Sequence, residues 1–223
     1  KDAAHFIAFP ELAITGYPPE DLVLKRPFVE ENRAALDAIA ARTGSTAAIV
    51  GFVDAAEEAL FNAAAICHRG AVIGIYRKQL LPNYGVFDER RYFEPGTSPA
   101  LIEIGGVRVG LTICEDIWFP GAPASTVALA GASLIVNASA SPYHRGKGAQ
   151  RERMLVQRAR DSLAYVAFCN LVGGQDELVF DGYSLVVDQD GDLVARGAQF
   201  TEELIVCDID PSTAQRVRLR DTR

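Results

Sequence analysis

The sequence predicts an α/β layered fold in which both faces of the sheets are used, and three observations lead to it. Apolar runs of strand length recur along the chain, for example "AAIVGFV" at 47–53 and "SLIVNAS" at 133–139. Some neighbouring runs are separated only by turn-sized gaps, as hairpins require. Others are separated by segments of helical period, as crossovers between parallel strands require. The 223 residues are enough to bury a large core as one domain, and 49% hydrophobic with 23% charged residues is the composition of a globule rather than a disordered chain.

The first run, "HFIAFPEL" at 5–12, ends in Pro10 and Glu11 and reads as a buried strand with a charge at its carboxyl end. Over 27–42 the apolar residues Phe28, Val29, Ala35, Leu36 and Ile39 recur with helical period, with Pro27 at the start and Gly44 past the end. That predicts a surface helix with one face on a sheet. "AAIVGFV", "FNAAAICH" and "AVIGIYRK" read as three strands, the last two joined by a turn at Arg69-Gly70. Residues 79–99, with Pro82, Gly85, Pro95, Gly96 and Pro99, form a long loop of the kind that usually carries function.

"ALIEI" and "VRVGLTI" form a hairpin about Gly105-Gly106 that delivers Cys114. "ASTVALAGA" reads as a helix, "SLIVNAS" as a strand, and 149–163 as a helix whose Leu155, Ala159 and Leu163 share one face. "YVAFCNLVG", "GYSLVVD" and "ELIVCDI" read as the last strands.

A net charge of −7 offers nucleic acid or an anionic membrane no basic patch, so both are excluded as partners. The one basic cluster, at 216–223, reads as a tail or linker. Cys67, Cys114, Cys169 and Cys207 show no metal-ligand spacing, so no metal site is expected. Three of the four sit inside apolar runs, as core thiols of a reducing compartment do. No run reaches membrane-spanning length, and "KDAAHFIAFP" lacks the layout of a signal peptide, so a cytoplasmic protein is expected.

Cys114 differs from the other three because it ends its apolar run and is followed at once by Glu115 and Asp116. A nucleophilic thiol needs a base and donors for the oxyanion formed on attack. Of the histidines, His5 and His68 lie at strand ends and only His144, among polar neighbours, is a candidate base. The other option is a carboxylate base assisted by a lysine. Glu11, Lys78 and Cys114 end three core strands, where α/β sheets assemble sites. A charge at a strand end also serves simply to keep that end solvated.

Three segments, "AFPELAITGYP", "YRKQLLPNYGVFDERRYFEPG" and "GLTICEDIW", resemble the Glu, Lys and Cys segments of the nitrilase, or carbon-nitrogen hydrolase, superfamily. More narrowly, "GYPPEDL", "PNYGVFDERRYFEPG", "NASASPYHRGK" and "VGGQDELVFDG" resemble the glutaminase domains of the glutamine-dependent NAD synthetase family, over about residues 6–210. The resemblance implies a four-layer αββα sandwich lacking its first strand and helix, with residues 1–210 as the glutaminase domain and 211–223 as the start of a linker. It implies an amidase triad: Cys114 attacks the side-chain amide carbon of L-glutamine, Glu11 carries the proton to ammonia, and Lys78 with the backbone N–H of Glu115 stabilises the oxyanion. The strand-end thiol then faces a pocket into which the following turn aims a donor.

By the same resemblance Glu89 is a supporting glutamate that orients Lys78 or the substrate, and Tyr84, Ser141 and Lys147 hold the glutamine, the last position being arginine in some members. Asp116 and Trp118 fit either a turn cap and a core residue or the pocket wall. No cofactor is implied for the amidohydrolase step. ATP and Mg would belong to a synthetase domain whose SGGxDS-type loop is not in this sequence. The implied partners are L-glutamine, that synthetase domain, which amidates deamido-NAD with the ammonia, and further copies in a homo-oligomer. Two rival readings are a free-standing amidase acting on another ω-amide or carbamoyl substrate and a silent module of an assembly.

Overall fold

The computed structural model describes residues 4–221, and the chain divides into two compact units, one ending at Ser98 and one beginning at Pro99. In the first unit β1 (Phe6–Ala8), β2 (Ala47–Ala56), β3 (Ala59–His68) and β4 (Ala71–Arg77) make a four-stranded sheet in that order. β1 runs parallel to β2, so the chain must cross back between them. It does so through a 3-10 turn at Glu20–Leu24 and helix α1 (Arg26–Ala41). The remaining pairs are antiparallel, and Arg69 and Gly70 close the last hairpin at positive φ, 49° and 85°.

α1 buries Leu36 and Ala40 against Ala48, Val50 and Phe52 of β2 and Ala63, Ala65 and Cys67 of β3, alternate residues that share one face of the sheet. Asn32 pins the helix to β2 by donating to the Val53 carbonyl at 2.6 Å and accepting its N–H at 3.1 Å. Gly51 is required by the opposite face. A Cβ there would stand 2.3 Å from the Pro10 carbonyl oxygen and 2.4 Å from the Leu12 nitrogen, so only glycine lets the turn that carries Glu11 lie against β2.

The second unit begins with β5 (Ala100–Ile104) and β6 (Val107–Ile113), followed by α2 (Ala124–Leu129), β7 (Leu134–Ser139), α3 (Lys147–Ser162) and β8 (Tyr165–Asn170). A hairpin of β9 (Val172–Gln175) and β10 (Leu178–Asp181) precedes β11 (Leu185–Val187), β12 (Leu193–Arg196) and α4 (Pro211–Arg220). The six-stranded sheet has the order β12-β11-β8-β7-β6-β5. Its centre, β6, β7 and β8, is parallel with α2 and α3 as crossovers, and its flanks are antiparallel. Val127, Leu155 and Ala159 of the helices pack on Ile135, Val166, Phe168, Leu185 and Val187 of the strands. Leu163, expected on the same helical face, instead terminates α3 at φ 48°.

Arg151 of α3 and Asp181 of β10 form an ion pair with no solvent exposure on either side chain. Arg151 also donates to the Gly182 carbonyl at 3.1 Å, and Gln199 donates to Asp181 at 2.8 Å. Arg218 of α4 donates to the Ser162 and Leu163 carbonyls at 3.0 and 3.1 Å, placing a cation at the carboxyl end of α3. The segment where a linker is expected to begin is thus helical.

Some sequence expectations change. β1 stops at Ala8, and Glu11 lies beyond it in a turn, because Pro10 has no N–H for a ladder and Leu12 adopts φ 46°. "YVAFCNLVG" splits at Leu171 into β8 and the start of β9, and β10 and β12, four residues each, fall outside the strands expected from the sequence. "ELIVCDI" forms no strand. Leu204 and Val206 are 71% and 76% exposed, and Cys207 is exposed rather than core, while Cys169 is half-buried. Its residue types favour a strand, but a strand exists only where a neighbour offers a ladder. Among the described residues no helix is long and apolar enough to cross a membrane.

Gly51→Ala is expected to lower stability by about 2 kcal/mol or more, read as a lower calorimetric melting temperature, since backbone rather than a flexible side chain must give way. Asp181→Ala, which strands the Arg151 charge, is expected to cost roughly 3–5 kcal/mol by chemical denaturation. Replacing both partners by Met and Leu should recover much of that loss; no recovery would mean that the pair acts through more than charge compensation.

Candidate active site

Lys78 follows β4 directly, and its side chain is fully buried. An ammonium in that position requires partners, and two carboxylates supply them. Nζ donates to Glu11 Oε1 at 2.7 Å and to Glu89 Oε1 at 2.6 Å. Glu11 comes from the turn held against Gly51, and Glu89 from a 3-10 turn at Glu89–Arg91 within the long loop. That loop is tied down where the Gly96 N–H donates to the Lys78 carbonyl at 2.7 Å, and a Cβ on Gly96 would stand 2.2 Å from the Arg77 carbonyl oxygen. Two further side chains complete the cluster. Asn62 of β3 donates to Glu11 at 2.7 Å and to Glu89 at 3.4 Å, and the buried Tyr17 hydroxyl donates to Glu89 at 2.8 Å.

Two carboxylates around one ammonium leave a net negative charge in the interior if both ionise. Burial accordingly pushes Glu89 up to about 7; the Lys78 charge opposes the rise, Glu11 adds to it, and hydrogen bonds from Lys78 and Tyr17 also oppose it. The raised Glu89 carboxyl therefore lets the cluster hold a proton near neutrality.

In the second unit Cys114 opens a 3-10 turn, Cys114–Ile117, at the end of β6. It is buried and sits at φ 42°, a left-handed conformation that a non-glycine residue adopts at a cost, of the kind stored at functional turns. Asp116 holds the turn by accepting the Ile113 N–H at 2.9 Å, which makes it the cap rather than a wall. Asn137 of β7 donates to the Cys114 carbonyl at 3.4 Å and to Thr112 Oγ1 at 2.9 Å, and it accepts from Ser139 at 2.7 Å. Trp118 leaves the turn half-buried, with the Lys147 ammonium 3.9 Å from its ring centroid. Lys147 lies within the electrostatic reach of Cys114 and Glu115.

Glu115 and Ser141 are also buried. Asn170 of β8 holds the Ser141 backbone by accepting its N–H at 2.8 Å and donating to its carbonyl at 3.5 Å. Tyr84 is 55% exposed, its ring edge-on to Phe87. His5 and His144 are exposed, the His144 carbonyl accepting the Lys147 N–H at 2.9 Å, and the His68 ring lies 3.2 Å from the Ser45 carbonyl. Among the described residues no group of three or more His, Cys, Asp or Glu is placed to hold a metal ion. Sequence reasoning missed Tyr17, Asn62, Asn137 and Asn170. Asn62 and Asn137 had a signal, each being an amide inside an apolar strand, where a polar group must find a partner.

The carbon-nitrogen hydrolase family model matches residues 1–219. The chain is 50% identical to the glutamine-dependent NAD(+) synthetase of Aquifex aeolicus over its full length and 40% of the relative's. With that of Thermotoga maritima it shares 50% identity over 97% of this chain and 38% of the relative. It thus spans about two fifths of the length of the curated relatives it matches. A solved glutamine-dependent NAD+ synthetase from Acinetobacter baumannii, in complex with ADP, matches 95% of this chain and 40% of that one at a TM-score of 0.89 and 36% identity. A mutant of the amidase from Nesterenkonia sp. AN1, showing covalent addition of the acetamide moiety of fluoroacetamide at its active-site cysteine, matches 97% of this chain at a TM-score of 0.82 and 26% identity. With a nitrilase-type α/β sandwich fold and a family match across nearly all of its length, this chain belongs to the carbon-nitrogen hydrolase family.

Proposed function

We propose that this chain hydrolyses L-glutamine to glutamate and ammonia, as the ammonia-producing part of a glutamine-dependent NAD synthetase. The observation that carries the chemistry is the buried Lys78 ammonium hydrogen-bonded to both Glu11 and Glu89, an arrangement that costs stability and suits an oxyanion and a proton carrier. Full-length identity of one half to proteins of that name supports the choice of glutamine.

In the proposed reaction Glu11 takes the Cys114 proton as sulfur attacks the amide carbon, and Lys78 with the Glu115 N–H stabilises the oxyanion. The C–N bond breaks as Glu11 returns the proton to the departing nitrogen, leaving a thioester and ammonia. Water, deprotonated by Glu11, then releases glutamate and restores the thiol. Glu89 holds Lys78 in place, and Ser141, Lys147 and Tyr84 hold the glutamine. Chain, glutamine and water balance the step without a cofactor; ATP and Mg act in the synthetase part, which uses the ammonia. Cysteines free of disulfides fit a reducing cytoplasm.

Ammonia release from L-glutamine tests the proposal. Release that is abolished in Cys114→Ala, is slow from the isolated chain and rises when a synthetase part is supplied is the expected result. Release that prefers other ω-amides, or survives loss of Cys114, would sink it.

A second expectation follows from Glu89. The folded chain retains the Glu89 proton up to about pH 7, whereas an unfolded glutamate loses it near 4.5. Between those values the native state binds more protons, so this group's contribution to stability is fully present below 4.5 and is lost as pH rises through 7. The stability difference between the parent and Glu89→Gln should therefore shift against the parent across that window in denaturation curves taken at successive pH values. A pH-independent difference would contradict it.

A further inference from the structure

Lys147 occupies an unfavourable place for a cation. It is the first residue of α3, where the helix dipole is positive, and Arg151 stands one turn further on. Burial lowers its pKa and Arg151 acts in the same direction, against the attraction of Cys114 and Glu115. The feature that fixes the ammonium is the face of Trp118, 3.9 Å away at the ring centroid. Trp118 terminates the short turn that Cys114 opens, and its N–H is bonded to the Glu115 carbonyl at 3.0 Å, so ring and thiol are carried by one backbone unit.

We propose that Trp118 is a positioning residue, a platform that holds the Lys147 ammonium in one place relative to the Cys114 turn so that it meets the carboxylate end of the substrate in a single geometry. Without the ring, the four-carbon stem of Lys147 is free to sample rotamers, and the substrate must order it on binding. The contact of Lys147 with a substrate carboxylate, and the identity of that substrate, rest on the glutaminase reading; the ring–ammonium contact does not.

The chain contains one tryptophan, so emission excited selectively at the indole reports the surroundings of Trp118. Lys147→Met is expected to shift the emission of the folded chain, while Lys147→Arg, which keeps a cation over the ring, stays close to the parent. Trp118→Leu is expected to raise the KM for L-glutamine roughly five- to twentyfold with a much smaller change in kcat, and Trp118→Phe to recover most of the loss. Emission unchanged in Lys147→Met, or equal KM values in the Leu and Phe variants, would overturn the proposal. Should Trp118→Leu not fold, the Phe variant and the two lysine variants still decide. Absence of ammonia release from the parent would count against the glutaminase reading, while the emission comparison would still test the ring–ammonium contact.

Discussion

A lysine ammonium with no access to water is the constraint around which the first unit is organised. Removing that charge from solvent costs several kcal/mol unless partners surround it. The two carboxylates come from places far apart in the chain, Glu11 from the turn after β1 and Glu89 from the long loop, and Asn62 of β3 and Tyr17 in turn donate to them. Each must be brought in by backbone geometry. Gly51 and Gly96 serve that end, since each lies where another segment passes too close for a side chain. The glycines, the loop and the buried charges are parts of one device.

The second unit solves a different problem, holding a thiol in a conformation it does not prefer. Cys114 at φ 42° is kept there from both sides, by Asp116 on the Ile113 N–H and by Asn137 on the Cys114 carbonyl. Both contacts use side chains too deeply buried to be competed away by water. Farther along the same unit the Arg151–Asp181 pair joins α3 to β10, and Arg218 of α4 covers the carboxyl end of α3. The helix that begins with Lys147 is therefore anchored at both ends.

Helix α1, the hairpins at Arg69-Gly70 and Gly105-Gly106, and the strand-end positions of Lys78 and Cys114 were readable from the sequence because each depends on local period or turn chemistry. So was the family, whose motifs are contiguous segments. "ELIVCDI" misled for the same reason. It has the composition of a strand, and composition says nothing about whether another strand lies beside it.

By itself, then, the sequence determined which stretches can be helix or strand and which reactive side chains stand at their ends. It could not say that Tyr17 and Asn62 donate to the carboxylates that hold one ammonium, that Trp118 lies under Lys147 rather than in the core, or that Cys207 is outside. Those facts belong to the tertiary structure. They depend on contacts between residues distant in sequence, and a buried polar group selects its partners only once the whole unit has closed around it.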